Sequence, residues 1–399
     1  MNKEVYEIIV IGGGASGLML AANLDLGGAP GLVLEGSSAL GSKLLMSGGG
    51  HCNITHGGSV KDFVYAYGSE GQALRRCLYR HSNLELARWL TGRGIELADE
   101  NGDPVGAYYG PGGMDDAGRV FPASMKSKDV LDALVEEAAS NLWQIETDTK
   151  AAGLRRTDGI WEVSLMNGYG VMARNVVIAS GGITYPETGS DGSVFEMLSE
   201  LGLGIDEPRS ALAPVYVRDY PYADLAGISI PDVTVIAFSS DAVNTCKGKA
   251  AKMKGDLLFT HDGFSGPVIL NISRYAEPGE LIRLCYNKEM YELPKRVQRA
   301  LRERSRGLLG DIRTNVLASY LDHDDFIVKG VDKRGMVTSG GVSLDEVDMQ
   351  TMSVKRFDGL YVIGEALNAD GITGGYNLQM CWSTASVCAD TLREKMYRE

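Results

Sequence analysis

The most constraining feature of this chain is its beginning, where a largely apolar segment leads into a glycine-rich turn and then into a helical pattern. The apolar segment is Val5–Ile11, and the turn is residues 12–17. Gly12, Gly14 and Gly17 have the G-x-G-x-x-G spacing of a dinucleotide-binding turn. The first glycine permits a tight bend, the second lets a pyrophosphate approach the backbone, and the third lets the helix pack on the strand. The sequence therefore predicts a Rossmann-like α/β fold here.

Two further features indicate that this turn binds an adenine dinucleotide. The alternative is a glycine-rich turn that binds no ligand. The start of the following helix offers free N–H groups and the positive end of the helix dipole to phosphates. A second apolar run, Leu32–Leu34, ends at Glu35, about 20 residues after the turn. A carboxylate at that place can accept hydrogen bonds from ribose hydroxyls.

Composition limits the other classes of function. The chain has 399 residues, enough for two or three domains, and its 44% hydrophobic and 23% charged residues are typical of globular proteins. The net charge of −13 disfavours an extended nucleic-acid surface but leaves room for a local basic groove. The six cysteines form no C-x-x-C pair, which argues against a close-spaced redox disulfide and a zinc ribbon. Without an apolar run of membrane-spanning length or room for a signal peptide, we expect a soluble cytoplasmic protein.

A second glycine-rich loop follows Glu35. Ser47 is followed by three successive glycines, Gly48–Gly50, which permit positive φ angles and a row of inward-pointing N–H groups. Such a loop can hold anionic or ring atoms of a ligand, and Lys43 could meet a phosphate or a carboxylate. A flexible surface loop is the alternative, and the apolar residues on both sides disfavour it.

The sheet pattern returns twice later in the chain. Val176–Ile178 runs into Ala179-Ser180-Gly181, which indicates a strand of the same sheet that places small residues near the ligand. A strand near 360 ends at Gly364-Glu365, and glycines at 371–375 then precede a C-terminal helix. Glu365 could accept hydrogen bonds from the ribityl hydroxyls of a flavin, and the helix start could support charge on the reduced ring. A glycine-rich turn between strand and helix is the alternative.

Between these parts, from about residue 191, short β-like runs are spaced as in an antiparallel sheet or small barrel. A charged turn contains Lys247, Lys249, Lys252 and Lys254 and is typical of a solvated hairpin tip. A basic amphipathic helix is predicted over 293–309 and a second helix over 312–321. Basic helices can touch membranes or RNA, but a small helical subdomain is favoured here. Earlier in the chain, Gly71–Arg93 is predicted to be helical.

With both ends considered, the chain resembles the two-dinucleotide-binding-domain flavoproteins. More narrowly, it resembles the YhiN-like (BaiN-like) bacterial flavoprotein family of NAD(P)/FAD-dependent oxidoreductases. The resemblance spans nearly the whole chain and is specific for the family, though not for a substrate. It is carried by KLLMSGGGHCNIT at 43–55, GRVFP at 118–122, LLFTHDGFSGP at 257–267 and DGITGGYNLQ at 370–379.

The resemblance implies an α/β fold with a discontinuous Rossmann-like FAD-binding domain, residues 1–190 and 341–399. The inserted domain, 191–340, would combine a β-barrel-like part with a helical subdomain at about 290–322, and the substrate would lie where it meets the flavin ring. His261, on the insertion, is a candidate for a proton donor or substrate contact; a turn histidine bonded to nearby backbone is the alternative. The predicted cofactor contacts are Gly12, Gly14, Ala15, Ser16, Gly17, Glu35, Lys43, Ser47, Gly48, Gly49, Asn53, Ala179, Gly181, Gly364, Glu365, Gly374, Gly375, Asn377 and Leu378.

Three positions depart from the family pattern. The family usually has arginine where this chain has Ser42 and His51, and commonly has aspartate where it has Asn368. The loss of two positive charges near the flavin loop could change which anionic group is held there, or the preference between nicotinamide cofactors.

These observations predict an FAD-dependent oxidoreductase that transfers hydride between flavin N5 and a small organic substrate. By resemblance, a bile-acid or steroid-like enone is a candidate substrate, and NADH or NADPH would dock transiently over the flavin. A flavin-dependent RNA-modifying enzyme and a non-catalytic flavin-binding sensor are the alternatives. The net charge weighs against the RNA alternative, so neither a nucleic acid nor a membrane is expected as a partner.

Overall fold

The computed structural model describes residues 5–238, 250–287, 290–309 and 323–398. Its contacts divide the chain into two compact units. The first unit comprises Met1–Arg209 and Val337–Glu399, and the second comprises Ser210–Met336. Residues 191–209 and 337–340, which the predicted limits assign to the insertion, are thus grouped with the first unit. Lys247 and Lys249, and the helix predicted over 312–321, lie outside the described residues.

The strands and helices are numbered in chain order. The strands are β1 (Val5–Ile11), β2 (Gly31–Leu34), β3 (Thr55–His56), β4 (Leu97–Asp99), β5 (Arg119–Pro122), β6 (Gln144–Glu146), β7 (Ala151–Thr157), β8 (Ile160–Leu165), β9 (Gly170–Ile178), β10 (Ile205–Ala211), β11 (Val215–Val217), β12 (Ser229–Phe238), β13 (Ala250–Phe259), β14 (Gly263–Ser265), β15 (Leu281–Cys285), β16 (Asp324–Val331), β17 (Val337–Val342), β18 (Val347–Asp348), β19 (Ser353–Val354) and β20 (Leu360–Val362). The helices are α1 (Ala15–Asn23), α2 (Ser42–Met46), α3 (Val60–Ala66), α4 (Gly71–Arg80), α5 (Asn83–Thr91), α6 (Ser127–Ser140), α7 (Ser193–Glu200), α8 (Pro267–Ile272), α9 (Lys295–Leu309) and α10 (Tyr376–Met396).

The main sheet of the first unit confirms the predicted Rossmann-like class. Its path is β18-β19-β20-β9-β1-β2-β6, and the strands from β20 to β6 pair in parallel. The register places the last residues of four strands side by side, because Ile11 pairs with both Leu34 and Ile178, and Ile178 also pairs with Val362. Ligands of open α/β sheets bind outside these carboxyl ends.

The core of the first unit lies around this sheet. The side chains of Ile8, Ile9 and Val10 are fully buried, and α1 packs against α6 and α10. All four tryptophans of the chain belong to this unit, so tryptophan fluorescence reports on it alone. They are Trp89, Trp143, Trp161 and Trp382.

The prediction of one helical segment over 71–93 is wrong in one respect. The structure has two helices there, α4 and α5, with a break between them. Ser82 is the N-cap of α5, and its Oγ accepts a hydrogen bond from the N–H of Glu85 at 3.3 Å. A capping serine inside the apolar pattern thus starts a new helix.

The second unit confirms the predicted barrel-like insertion. Six strands close in the order β11-β14-β13-β12-β15-β16. Apolar residues such as Val235, Phe259 and Ile282 fill its core, and Val297 and Leu301 of α9 pack into the same core. The helix thereby confirms the predicted basic amphipathic helix, although it begins at Lys295 and not at Leu293.

A buried polar cluster also belongs to the second unit. Asp324, at the start of β16, is 2% exposed and accepts hydrogen bonds from the hydroxyl of Tyr222 and, at 3.2 Å, from Nε of Arg304. The Arg304 guanidinium lies 4.8 Å from the centre of the Phe326 ring. Burial raises the pKa of Asp324, against the opposing effects of Tyr222 and Arg304.

Among the described residues, no helix combines the length and the apolar character that crossing a bilayer requires.

Candidate functional site

The glycine turn after β1 has the geometry that its sequence predicts. Gly12 has φ +114°, and a Cβ added there would lie 2.4 Å from the carbonyl oxygen of Ala179. A Cβ at Gly17 would lie 1.9 Å from the carbonyl oxygen of Gly12. At Gly14, the N-cap of α1, an added Cβ would meet nothing within 4 Å. Two glycines are therefore required by the packing of the turn itself, while the third faces open space beside the N-terminus of a helix.

Glu35 follows β2 and is held by this turn. The side chain is 7% exposed, and Oε2 accepts a hydrogen bond from the N–H of Gly13 at 2.9 Å. Oε1 accepts from both the N–H and the hydroxyl of Ser37, each at 2.7 Å. These backbone and hydroxyl donors fix the carboxylate at the end of β2, next to the fingerprint, where a ribose contact is predicted. Each carboxylate oxygen has more than one acceptor site, so further donors can be accommodated.

Lys43 and Glu365 form an ion pair that joins the two ends of the chain. Nζ of Lys43 lies 2.6 Å from Oε2 of Glu365 and 2.9 Å from Oε1. The same ammonium donates to Oγ1 of Thr184 at 2.7 Å, and the N–H of Thr338 donates to Oε1 of Glu365 at 2.8 Å. Lys43 thus meets a carboxylate, one of the two partners considered for it, and that carboxylate belongs to the protein.

The loop after α2 adopts the left-handed backbone that its glycines permit. The φ angles of Gly48, Gly49 and Gly50 are +58°, +68° and +92°. The loop is closed by Ser47, whose hydroxyl donates to the carbonyl of Leu44 at 2.7 Å and whose own carbonyl accepts from the N–H of the buried Cys52 at 3.0 Å. The predicted cradle of backbone N–H groups therefore has the required backbone conformation.

Asn53 connects this loop to the loop before α10. With its amide oriented to satisfy both ends, the oxygen accepts from the N–H of Gly375 at 3.1 Å, and the nitrogen donates to the carbonyl of Thr55 at 3.0 Å. A Cβ added at Gly375 would lie 2.4 Å from the carbonyl oxygen of Thr55, so a glycine is needed for this approach. The two loops predicted to hold the flavin end of the cofactor are thus in direct contact.

The loop before α10 is also folded on itself. Asn377 accepts from the N–H of Gly371 at 2.8 Å and donates to the carbonyl of the same residue at 3.0 Å. Gly374 and Gly375 have φ angles of +117° and +95°, and Leu378 in the first turn of α10 is half-buried. The structure therefore explains Asn377 as the residue that shapes the loop.

The small residues after β9 and β20 complete the group. A Cβ added at Gly364 would lie 2.0 Å from Oγ of Ser16, so the fingerprint helix and the C-terminal segment touch. Gly181, with φ +76°, is near Oε2 of Glu365, since a Cβ there would lie 3.7 Å from it. Between Ala179 and Gly181, the hydroxyl of Ser180 is buried and has no hydrogen-bond partner within the described part of the chain.

The predicted cofactor contacts of the first unit thus gather at the carboxyl ends of the parallel strands. The left-handed glycine loops, the open space at Gly14 and the unpaired hydroxyl of Ser180 fit a long anionic ligand with a polar chain. The role of the individual residues as FAD contacts stays a prediction.

His261 belongs to the second unit and lies exposed in the turn between β13 and β14. It faces a cleft of about 700 Å³ on that unit. The cleft is lined by Tyr216, Val217, Arg218, Asp219, Tyr220, His261, Asp262 and Lys329. Burial raises the pKa of Tyr220, whose hydroxyl donates to the carbonyl of Thr260 at 3.0 Å. Whether His261 acts on a substrate stays a prediction.

The three departures from the family pattern have different surroundings. His51 is exposed, and the hydroxyl of Ser42 donates to the carbonyl of Ala39 at 3.1 Å. Nδ2 of Asn368 donates to Oδ2 of Asp206 at 2.7 Å. An aspartate at 368 would lose this donor and place two carboxylates together, so the amide fits its neighbour in this chain.

The cysteines near the site are not reactive thiols. Burial raises the pKa of Cys52 to about 12 and that of Cys381 to about 11. Both are protonated near neutral pH and therefore poor nucleophiles.

Sequence reasoning missed several residues at this site. Thr184 and Thr338 contact the Lys43–Glu365 pair, and the ring of His56 stacks on that of Tyr376 at 5.0 Å between centres. Thr184 lies in a loop whose turn-forming composition carried no other signal. The backbone N–H of Thr338 has no side-chain signature at all.

Comparison with known proteins gives a consistent family. The family model described as an HI0933-like protein Rossmann domain matches residues 6–391. The ribosomal RNA dihydrouridine synthase of Haemophilus influenzae is 28% identical over 425 residues, which cover 97% of this chain and 98% of that protein. The 3-dehydro-bile acid delta(4,6)-reductase of Clostridium scindens is 26% identical over 439 residues, covering 98% and 99% of the two chains.

Solved structures share the fold at low sequence identity. The 3-ketosteroid delta1-dehydrogenase of Sterolibacterium denitrificans is 12% identical, with a TM-score of 0.51 and coverage of 98% of this chain and 100% of that one. A flavocytochrome c3 fumarate reductase is also 12% identical, with a TM-score of 0.50 and coverage of 98% and 79%.

Proposed function

Because the chain belongs to the HI0933-like Rossmann domain family, which it matches from residue 6 to 391, we propose that it is an FAD-dependent oxidoreductase. The observation that carries this proposal is the convergence of both chain ends at one edge of the parallel sheet. Gly12–Gly17 and Glu35 would hold the pyrophosphate and the adenosine ribose there. The loops at 47–53 and 371–378 would hold the flavin end.

The electrostatics of the site support a cofactor that gains negative charge on reduction. When bound, FAD supplies hydride transfer, and the protein supplies position and electrostatics. The 21-residue helix α10 begins at Tyr376, and the positive end of its dipole lies beside the predicted flavin loop. Lys43 lies at the same site, where the carboxylate of Glu365 orients its ammonium and offsets its charge, so the helix dipole is the main support for a negative group. Glu365 would accept hydrogen bonds from the ribityl chain.

The substrate class follows from chemistry shared by two relatives. The name dihydrouridine synthase and the name delta(4,6)-reductase both describe saturation of a ring carbon–carbon double bond. We therefore propose that this enzyme transfers hydride to a ring double bond conjugated to a carbonyl. A steroid-like enone is one such substrate, and NADH or NADPH would serve as a transient reductant.

RNA is the second candidate substrate, because ribosomal RNA dihydrouridine synthases appear among the relatives from two organisms. The Escherichia coli protein is 27% identical over 427 residues, with 98% of each chain covered. A uracil ring offers the same conjugated arrangement as an enone. The net charge of −13 counts against this candidate only if no local basic surface exists.

The test is anaerobic reduction of the FAD-loaded protein by NADH and by NADPH, followed by stopped-flow reoxidation. The acceptors are a steroid enone, a uridine-containing ribosomal RNA fragment and oxygen. We expect the flavin to bleach with one nicotinamide and to reoxidise with at least one of the two unsaturated acceptors. A protein that binds no FAD would disprove the proposal. Bound FAD that no nicotinamide reduces and no acceptor reoxidises would indicate a sensor instead.

A further inference from the structure

Helix α9 is strongly basic in an acidic protein. Its fifteen residues, Lys295–Leu309, include six lysines and arginines and one glutamate, whereas the whole chain carries a net charge of −13. Like charges on one short helix repel one another, and counter-ions within the protein or an anionic partner outside it would relieve that repulsion.

Three of the basic side chains form an exposed stripe. Lys295, Arg299 and Arg302 are spaced four and three residues apart, which places them on one face of the helix. All three are exposed, and none forms an ion pair or a side-chain hydrogen bond with another described residue. With a rise of about 1.5 Å per residue, the stripe extends roughly 10 Å along the helix axis.

Other arginines of the same helix do have partners within the protein. Arg304 turns inward to Asp324, and Arg296 donates to the carbonyl of Asp224. The contrast shows that this helix pairs some of its cations within the protein, whereas the stripe has no ion-pair partner among the described residues.

The opposite face of α9 decides what kind of anion can be bound. Val297 and Leu301 are 0% and 1% exposed, and both pack into the barrel core. A helix that binds a membrane inserts its apolar face among the acyl chains. That face is already used here, so the stripe can meet only a charged surface, and arginines are well suited to bidentate contacts with phosphate.

We propose that the stripe formed by Lys295, Arg299 and Arg302 binds the phosphate backbone of RNA. The choice of RNA as the partner rests on the proposed function, in which a uracil ring is a candidate for reduction. The surface provides affinity and orientation without reading a base, as phosphate contacts do. It also resolves the conflict between an acidic chain and a nucleic-acid partner, because the positive charge is local.

The test is RNA binding by the full-length protein, measured by fluorescence anisotropy with a labelled hairpin fragment of ribosomal RNA at about 50 to 200 mM salt. The variant is Lys295→Gln/Arg299→Gln/Arg302→Gln. We expect its affinity to fall at least tenfold, and the slope of log K against log salt to fall by about 2 to 3, as for three lost phosphate contacts. The control, Arg76→Gln/Lys128→Gln/Arg155→Gln, removes the same charge from exposed positions of the first unit and is expected to bind like the wild type.

Three outcomes would overturn the proposal. The wild-type protein does not bind the RNA, the two variants lose RNA affinity equally, or the wild-type protein binds phosphatidylserine vesicles or polyglutamate more tightly than RNA. FAD content and flavin reduction are measured on the same samples. Salt-dependent RNA binding by a protein without flavin activity would refute the proposed function and keep the surface. Flavin activity without RNA binding would refute the RNA-binding surface and keep the proposed oxidoreductase function.

Discussion

The two units of this protein arrange their polar groups in opposite ways. In the first, the carboxyl ends of the strands are followed by glycine loops with open space at Gly14 and a hydroxyl at Ser180 that no described residue pairs with. In the second, Asp324 is enclosed by the side chains of Tyr222 and Arg304. The first arrangement leaves backbone donors for a ligand, whereas in the second the charge of Asp324 is met by side chains of the protein itself. Glycine loops thus leave space and backbone donors that a ligand could use, whereas the buried side-chain cluster holds the barrel unit together.

The largest effect is expected for Gly17→Ala, since the new Cβ would lie 1.9 Å from a backbone carbonyl oxygen that cannot move without distorting the fingerprint turn. We expect a loss of more than about 4 kcal/mol in the free energy of unfolding of the first unit. Urea unfolding followed by tryptophan fluorescence measures it, because the four tryptophans lie in that unit. A stable Gly17→Ala protein would mean that the turn is not packed as described.

The next effect tests the buried cluster. In Arg304→Met, the carboxylate of Asp324 keeps only Tyr222 as a side-chain partner among the described residues, and we expect the second unit to lose about 3 kcal/mol at pH 8. Burial raises the pKa of Asp324 in the folded state. Its contribution to the free energy of unfolding therefore decreases as the pH rises from the pKa of the unfolded state through the pKa of the folded state. The loss in the variant should therefore shrink when the pH is lowered towards 4, about the unfolded value.

Hydrogen exchange of β15 and β16, read by mass spectrometry, measures this effect in the second unit. The matched control is Arg283→Met, which removes the half-exposed pair of Arg283 with Asp325, the residue next to Asp324. We expect the control to cost less than about 1 kcal/mol. Equal losses in the two variants would contradict the view that burial makes the Asp324 cluster important.

Gly14→Ala separates binding from folding in the first unit. The added methyl group meets no protein atom within 4 Å, so stability should change by less than about 0.5 kcal/mol. If a pyrophosphate approaches this position, however, FAD affinity should fall roughly tenfold, which is about 1.4 kcal/mol. Titration of the apoprotein with FAD gives the affinity, and tryptophan fluorescence gives the stability. Unchanged affinity would place the pyrophosphate elsewhere.

The smallest effect is expected for Asn368→Asp, which introduces the residue that the family resemblance implies at this position. The change removes the donor to Asp206 and places two carboxylates together at an exposed position, at a cost of about 1 kcal/mol that decreases with added salt. Adding Asp206→Asn should recover most of the loss. A stabilising Asn368→Asp would show that the amide does not depend on this neighbour.

The predictable parts of the site are those in which a residue type directly determines the backbone conformation. Gly12, Gly17 and Gly375 are required by close approaches of less than 2.5 Å, and the spacing of glycines along a chain is a direct sign of such approaches. The parallel sheet and the barrel followed from apolar runs and their spacing. The family is confirmed by the match over 6–391.

The missed features depend on pairs of residues far apart in the chain. Lys43 and Glu365 are 322 positions apart in the sequence. Thr338 contacts the carboxylate of Glu365 through its backbone N–H. Neither periodicity nor local spacing reports such contacts. The roles of the cofactor residues and of His261, and the cytoplasmic location, stay predictions.

The order of the strands has a consequence for synthesis on the ribosome. The barrel unit is one continuous segment and is complete at Met336, whereas the first unit still needs β20 beside β9 and α10 against α1. At about 5 to 20 residues per second, synthesis of the residues after Met336 takes several seconds, during which the first unit lacks β20 and α10. The first unit therefore begins to be synthesised first but is completed last. We expect a chaperone that binds nascent chains to bind mainly during that interval.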